Sequence, residues 1–412
     1  MKEKQKIDVL YVAVILFLIC YFMQLYNFQM LWMLAIGSVF CICYLIKQKV
    51  FRVNLGTCLL MITMYSFYII QYGPRAVVTM IPYVPIVMYV LSNYIGGDIK
   101  DSEKRDRKFM GILFALVVGY TIHGLLNSYM YYAGYIKEGT RQWYDFWTRS
   151  YMPGPQHNLL YLPVLAAFFP AVIWFRERKI GNLLIIGSSL FFLFTSLVTR
   201  SRMSIMIFAL VLVGQVILYF LLESRKLKHI LTNKKVWCAC LGVIILSGVL
   251  LFLLKDTSII KNFVANFSRG GGIFNNIRFK LQRQALSQLF EYPMGGKQMH
   301  LAVKYTHMYV HNVWLDMANT SGIIPFFAFV GFTVFSVVTL VRFLLWKGIS
   351  TEIKLITAGL YGAFFLFYMV EPALEASIHY MTPWMMVNGL MYAVMSKNWF
   401  DLHGLSNRKV QV

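Results

Sequence analysis

The stretch Tyr309-Val310-His311-Asn312-Val313-Trp314-Leu315-Asp316 is where a polar, basic segment, residues 255–310, passes directly into an apolar run, 310–341. About 20 consecutive apolar residues cross the hydrocarbon core of a bilayer, so a charged loop that opens into such a run is entering a membrane. Working outward, comparable runs lie at roughly 8–25, 28–46, 55–72, 76–94, 109–133, 158–175, 180–199, 202–222 and 236–254 before it, and at 353–370 and 378–396 after it. The expectation is an all-α, polytopic membrane protein of about twelve transmembrane helices forming one integral domain over 1–412. A long, partly helical outer loop, 255–310, separates the ninth and tenth spans, and a second outer loop, rich in Trp and Tyr, covers 134–157.

Composition agrees. The chain is 58% hydrophobic and 14% charged with a mean hydropathy of +0.61, where a soluble protein carries about 25% charge. A β-barrel is excluded, because its strands alternate apolar and polar residues and these runs are continuous. The first run is too long for a signal peptide and has no small-residue cleavage site after it, so it reads as an uncleaved helix. The fourth is the weakest, interrupted by Pro74, Pro82 and Pro85. The six cysteines fall inside spans or at their ends. The Cys41/Cys43 and Cys238/Cys240 pairs point about 200° apart on a helix, so neither forms a metal or redox pair.

Placing the N-terminus inside puts 25 of the 39 basic residues in inner segments and 14 in outer ones, the sign expected of a protein with both termini in the cytoplasm. Eight of the outer cations are arginines: Arg75, Arg141, Arg149, Arg200, Arg202, Arg269, Arg278 and Arg283. About seven acidic residues oppose them. Arginine binds phosphate bidentately, and a diphosphate held at the outer leaflet would balance the excess. The net charge of +22 is spread over both faces of a membrane and does not point to nucleic acid.

Arg200-Ser201-Arg202 stands at the outer junction of two spans. It reads either as snorkelling cations or as a phosphate site aided by a helix N-terminus and the hydroxyls of Ser201 and Ser204. In the long loop, 276–290 reads as an amphipathic interfacial helix. Ile277, Leu281, Ala285 and Leu289 form its stripe, and Arg278, Lys280 and Arg283 lie off it. Pro293 and Gly295-Gly296 turn the chain after it. His311 can take or give a proton at neutral pH, or be an ordinary interfacial histidine. His307-x-x-x-His311 places two ligands on one face, but no carboxylate follows at a convincing spacing, so no metal is expected. Asp316, inside the apolar run, needs a partner: an arginine of the loop or Asn312. Glu371 and Glu375, near His379, read as a base or, more simply, as balance for the outer arginines. Trp143, Tyr144, Trp147 and Tyr151 could stack on sugar rings or form an aromatic belt.

At these residues the chain resembles the O-antigen ligase and polymerase superfamily, the Wzy and WaaL type, and most of all a Wzy-type polysaccharide polymerase. The matching segments are Arg149, Gly154 and Asn158; Ser201-Arg202; Arg278-Phe279-Lys280-Leu281 with Ala285-Leu286, Pro293 and Gly295-Gly296; and His311-Asn312 with Leu315, Gly322 and Pro325. Gln282, where an aromatic is common, and the adjacent glycines depart from the pattern.

The resemblance implies a metal-independent, inverting glycosyltransferase without a cofactor. It would sit in a bacterial plasma membrane with its active site on the outer face, joining undecaprenyl-diphosphate-linked repeat units into a capsule, exopolysaccharide or O-antigen. Arg278 and Arg202, helped by Arg200 and Arg283, would hold the diphosphate. His311 would position or deprotonate the acceptor hydroxyl, or else be another contact to the diphosphate, oriented by Asn312 and Asp316, and Arg149 and Asn158 would complete the substrate site. Besides the lipid-linked donor and acceptor, the implied partners are membrane lipid and a chain-length regulator protein. A ligase that moves finished glycan to a terminal acceptor shares the motifs. A lipid-linked oligosaccharide transporter is a more distant alternative, disfavoured by charges gathered in loops and by the lack of an internal repeat.

Overall fold

The computed structural model describes residues 8–27, 29–77, 82–100, 102–137, 142–152, 154–174, 179–199, 201–223, 257, 261, 277–295, 310–371 and 378–395. The ninth apolar run, most of the long loop, Arg200, His307 and Glu375 lie outside these residues. About 81% of the structure is helical, as the hydrocarbon phase demands: with no water to bond, backbone amides and carbonyls must pair within the chain. The strands in the described residues form one small hairpin, Trp143–Tyr144 against Tyr151–Met152.

Among the described residues, five helices combine the length and apolar composition that a crossing needs: Leu55–Tyr72, Arg105–Tyr132, Gly181–Val198, Arg202–Leu222 and Ile323–Leu345. Other runs are divided. The second contains a π-helical turn, Met33–Gly37, ahead of the helix Ser38–Gln48. The sixth is split into Gly154–Ala167 and Phe169–Trp174. The fourth starts later than its hydropathy suggests: Pro74–Val77 is a 3-10 turn, and the helix runs from Tyr83 to Lys100. Pro85 falls in its first turn, where a missing N–H costs nothing.

The tenth run, expected as one span over 310–341, is two helices, Val313–Ser321 and Ile323–Leu345. Gly322 separates them at φ +82°, a left-handed conformation that a side chain would strain. Asn312 starts the first of the two by accepting the Leu315 amide at 3.1 Å, which satisfies one of the orphan donors of a helix N-terminus.

The described chain forms two compact units, residues 1–123, 277–353 and 364–412 on the one hand, and 124–276 with 354–363 on the other. In the first, Tyr83–Lys100 and Thr382–Met395 are the buried centre. Gly96 and Gly389 let them approach closely, since a Cβ on Gly96 would lie 2.8 Å from that of Ala393, and one on Gly389 2.6 Å from the Tyr89 carbonyl oxygen. Asn54 opens the helix Leu55–Tyr72 with a capping box shared with Thr57, and its amide donates to Asn93 at 3.2 Å. Four charges meet at one end of this unit. Lys47 lies 2.7 Å from Asp98 and 3.7 Å from Asp8, and Lys108 lies 2.8 Å from Asp8 and 3.9 Å from Asp98. In the second unit, Gln215 is buried on Arg202–Leu222 and donates to the carbonyls of Ala167 and Leu355 at 2.8 and 3.2 Å.

Candidate functional site

The first unit brings three of its ionisable side chains together from segments far apart in sequence. Arg278 comes from the basic helix, Ile277–Ser287, His311 from the turn before the capped helix, Val313–Ser321, and Glu371 from the turn that follows Thr351–Tyr368. Arg278 Nη1 donates to the Val370 carbonyl at 2.9 Å and to Glu371 Oε1 at 3.3 Å. His311 Nδ1 lies 3.6 Å from the other oxygen, Oε2. The Glu371 side chain is 6% exposed, His311 19% and Arg278 32%. Of the two readings open for Glu371, its position matches the one in which it balances an arginine.

The basic helix is placed by its apolar stripe. Leu281 and Ala285 pack on Val310, flanked by Tyr292 and Leu315. Sequence periodicity identified this stripe, but the stripe faces protein. Phe279, Leu286 and Phe290 are exposed. Gln282, the departure from the family pattern, donates to the carbonyls of His311 at 3.2 Å and Met369 at 3.4 Å. A phenylalanine side chain could make neither bond. Arg283 is exposed.

His311 adopts φ +58°. Non-glycine residues pay about 1–2 kcal/mol for this region. The compensation comes from Asp316. Its Oδ1 accepts the Val310 amide at 2.7 Å and its Oδ2 the Asn312 amide at 3.1 Å, so one buried carboxylate binds the peptide groups before and after the histidine. Charge-assisted bonds of this kind contribute about 1.5–3 kcal/mol each and outweigh the strain. The partners expected for Asp316 were a loop arginine or Asn312. Asn312 is one, through its backbone, and the Val310 amide is a partner that no side-chain pattern announces.

A second pair of backbone groups locks the turn after the basic helix to the break in the tenth run. The Pro293 carbonyl accepts the Ile323 amide at 2.9 Å. Gly295 has φ +60°, and a Cβ there would lie 2.5 Å from the Gly322 nitrogen. Pro293, Gly295 and Gly322, singled out separately in the sequence, are therefore one contact.

The second unit holds the other assigned residues. Arg149 also has positive φ, +54°, and again an aspartate holds the turn. Asp145 Oδ1 accepts the amides of Trp147 at 2.9 Å and Thr148 at 2.8 Å. The guanidinium lies 3.0 Å from Met130 Sδ and 5.3 Å from the centre of the Phe146 ring. Trp143 is only 1% exposed and packs edge-on to Tyr131 at 5.0 Å, so it cannot stack on a sugar as the sequence allowed. Arg202 is the first residue of its helix. The Ser204 hydroxyl is fully buried and donates to the Ser201 carbonyl at 2.8 Å, so it is spent inside the protein and does not serve as a ligand donor. Asn158 lies on Gly154–Ala167.

No protein-family model matches the chain, and no curated protein matches it.

Proposed function

We propose that the chain is a membrane glycosyltransferase that polymerises undecaprenyl-diphosphate-linked oligosaccharide repeat units into a surface polysaccharide. In this reading the apolar runs make twelve crossings of a bacterial plasma membrane, both termini are cytoplasmic, and the chemistry takes place on the outer face. The observation that supports it is the meeting of Arg278 and His311 on one buried carboxylate. A cation suited to phosphate and a titratable base stand within one side chain's width of each other, at the mouth of a helix. Donor and acceptor chemistry need that adjacency.

The mechanism follows from the groups. Arg278 binds the donor diphosphate and stabilises the negative charge that grows on it as the glycosidic C–O bond breaks. The acceptor hydroxyl attacks the anomeric carbon from the opposite face, inverting it, and His311 takes the hydroxyl proton. Arg283 is exposed on the same basic helix and adds positive charge for the phosphates. Asp316 and Asn312 keep the His311 turn in place.

The test is electrophoresis of surface glycan from cells carrying Arg278→Ala or His311→Ala. Loss of the long-chain ladder with single repeats retained, at normal protein abundance, is expected. Long chains in cells carrying both changes would overturn the assignment, and accumulation of lipid-linked polymer would make the enzyme a ligase. Arg149→Ala and Arg202→Ala are read on the same gel.

A further inference from the structure

We propose that the helix Ile277–Ser287 and the turn after it carry a lipid-binding face, which seats them in the boundary layer of the bilayer with Lys280 and Arg283 at the phosphates of anionic phospholipids. The proposal goes beyond the glycosyltransferase reading and does not rest on it, since it needs a membrane and no glycan.

Successive residues of an α-helix turn by about 100°, so the faces of this helix follow in order. Leu281 and Ala285 are buried against Val310, and Arg278, beside them, reaches the Val370 carbonyl. Phe279 and Leu286 lie together about 130° round from that buried pair, and both are exposed. Arg283 and Lys280 follow further round and are exposed as well. The helix therefore has three faces: one apolar and buried, one apolar and exposed, one basic and exposed. A helix that met only protein and water would need the first apolar face and no second. Phe290, four residues on from Leu286 and 72% exposed, and Met294 extend the exposed apolar surface into the turn.

The neighbouring helix shows what covers this surface. Phe290 packs on Phe327, with ring centres 6.4 Å apart. Phe327 begins a stripe on the crossing-length helix Ile323–Leu345. Phe327, Val334, Val338, Val341 and Leu345 are all exposed and fall within an arc of about 60°. From Phe327 to Leu345 the stripe rises about 27 Å, against about 30 Å for the hydrocarbon core of a bilayer. Exposed apolar surface of that length, on a helix fit to cross a membrane, faces lipid. Phe290 meets the stripe at its Phe327 end, where hydrocarbon gives way to headgroups. The exposed apolar face of the basic helix is thus continuous with a lipid-facing surface and level with its boundary.

The charges suit that depth. From Ile277 to Gly295 the chain has three cations, Arg278, Lys280 and Arg283, and one carboxylate, Glu291. Arg278 is turned to Glu371, which leaves Lys280 and Arg283 beside the exposed apolar face. Long cationic side chains at this level lay their stems on the apolar layer and reach up to phosphate. The charge that Arg283 lends to donor phosphates it lends to lipid phosphates in the same layer. The seat also fixes the height of Arg278, on the same helix, at the layer where phosphates lie.

The experiment places purified full-length protein in nanodiscs made from an equal mixture of phosphatidylcholine and phosphatidylglycerol. In separate variants the photocrosslinker p-benzoylphenylalanine replaces Leu286, Phe290 or Ser287, and the adducts formed on irradiation are read by mass spectrometry. Leu286 and Phe290 should give phospholipid adducts about fivefold more often than Ser287, which is exposed but lies about 100° round the helix from Leu286, toward the basic face. Either of the first two positions serves should the other variant not fold. With the photocrosslinker at position 286, Lys280→Gln should lower the phosphatidylglycerol share of the adducts about twofold. Adducts to a second copy of the chain at Leu286 and Phe290, or none at all, overturn the lipid face, as does an equal phospholipid yield at Ser287. An unchanged phosphatidylglycerol share in Lys280→Gln overturns the headgroup assignment.

Discussion

At the scale of single residues, the most consequential arrangement is a carboxylate that bonds backbone on both sides of a left-handed residue. Asp316 does this for His311, and Asp145 holds the Arg149 turn. Asp316→Ala leaves two amides without their acceptor and should cost about 3 kcal/mol or more, read as a fall in the thermal unfolding midpoint in detergent. Asn312→Ala removes only the cap and should cost about 1 kcal/mol, and Asn312→Ser should restore most of it. If Asp316→Ala is no worse than Asn312→Ala, the aspartate is not the group that holds the turn. These residues were legible in the sequence as polar anomalies at the edge of an apolar run. Their partners were not, because a carboxylate bound by main-chain amides leaves no trace in side-chain spacing.

At the scale of elements, hydropathy locates helices well where the apolar phase is unbroken. Leu55–Tyr72 and Arg202–Leu222 begin and end where their runs do. It fails at interruptions, since Gly322 is as apolar as its neighbours and its break depends on φ and on the turn packed against it. Gly322→Ala should therefore be far more damaging than a glycine-to-alanine change inside a helix. Its Cβ would meet the Pro293 carbonyl and the backbone of Met294, which cannot move without dislodging the basic helix. The expected result is loss of folded protein in fluorescence-detected gel filtration, while Gly331→Ala, whose Cβ would meet only Leu59 at 3.4 Å, stays folded. Leu281→Ala should cost about 2–5 kcal/mol by emptying the seat of the basic helix on Val310. The periodic stripe of that helix was readable; that it faces protein was not, because periodicity marks an apolar face without saying what covers it.

At the scale of the whole molecule, the proposed orientation makes a direct prediction. Cysteines introduced at Glu103 and Arg283, both exposed, should be labelled by a membrane-impermeant maleimide from opposite sides: Glu103→Cys only after the membrane is opened, Arg283→Cys in intact cells. Labelling of both in intact cells would refute the inside-terminus assignment. The Arg278–Glu371–His311 meeting belongs to this scale too. It joins residues 278, 311 and 371, and sequence alone offered Glu371 only as a base or as balance for the outer arginines, with no sign of which one. Lys47 and Lys108 count toward the inward bias of positive charge, yet in the folded protein each is neutralised by Asp8 and Asp98. In the proposed orientation these two lysines would count toward sidedness while the chain is inserted and be paired once the helices meet, so Asp98→Asn should weaken the finished protein and leave its sidedness untouched.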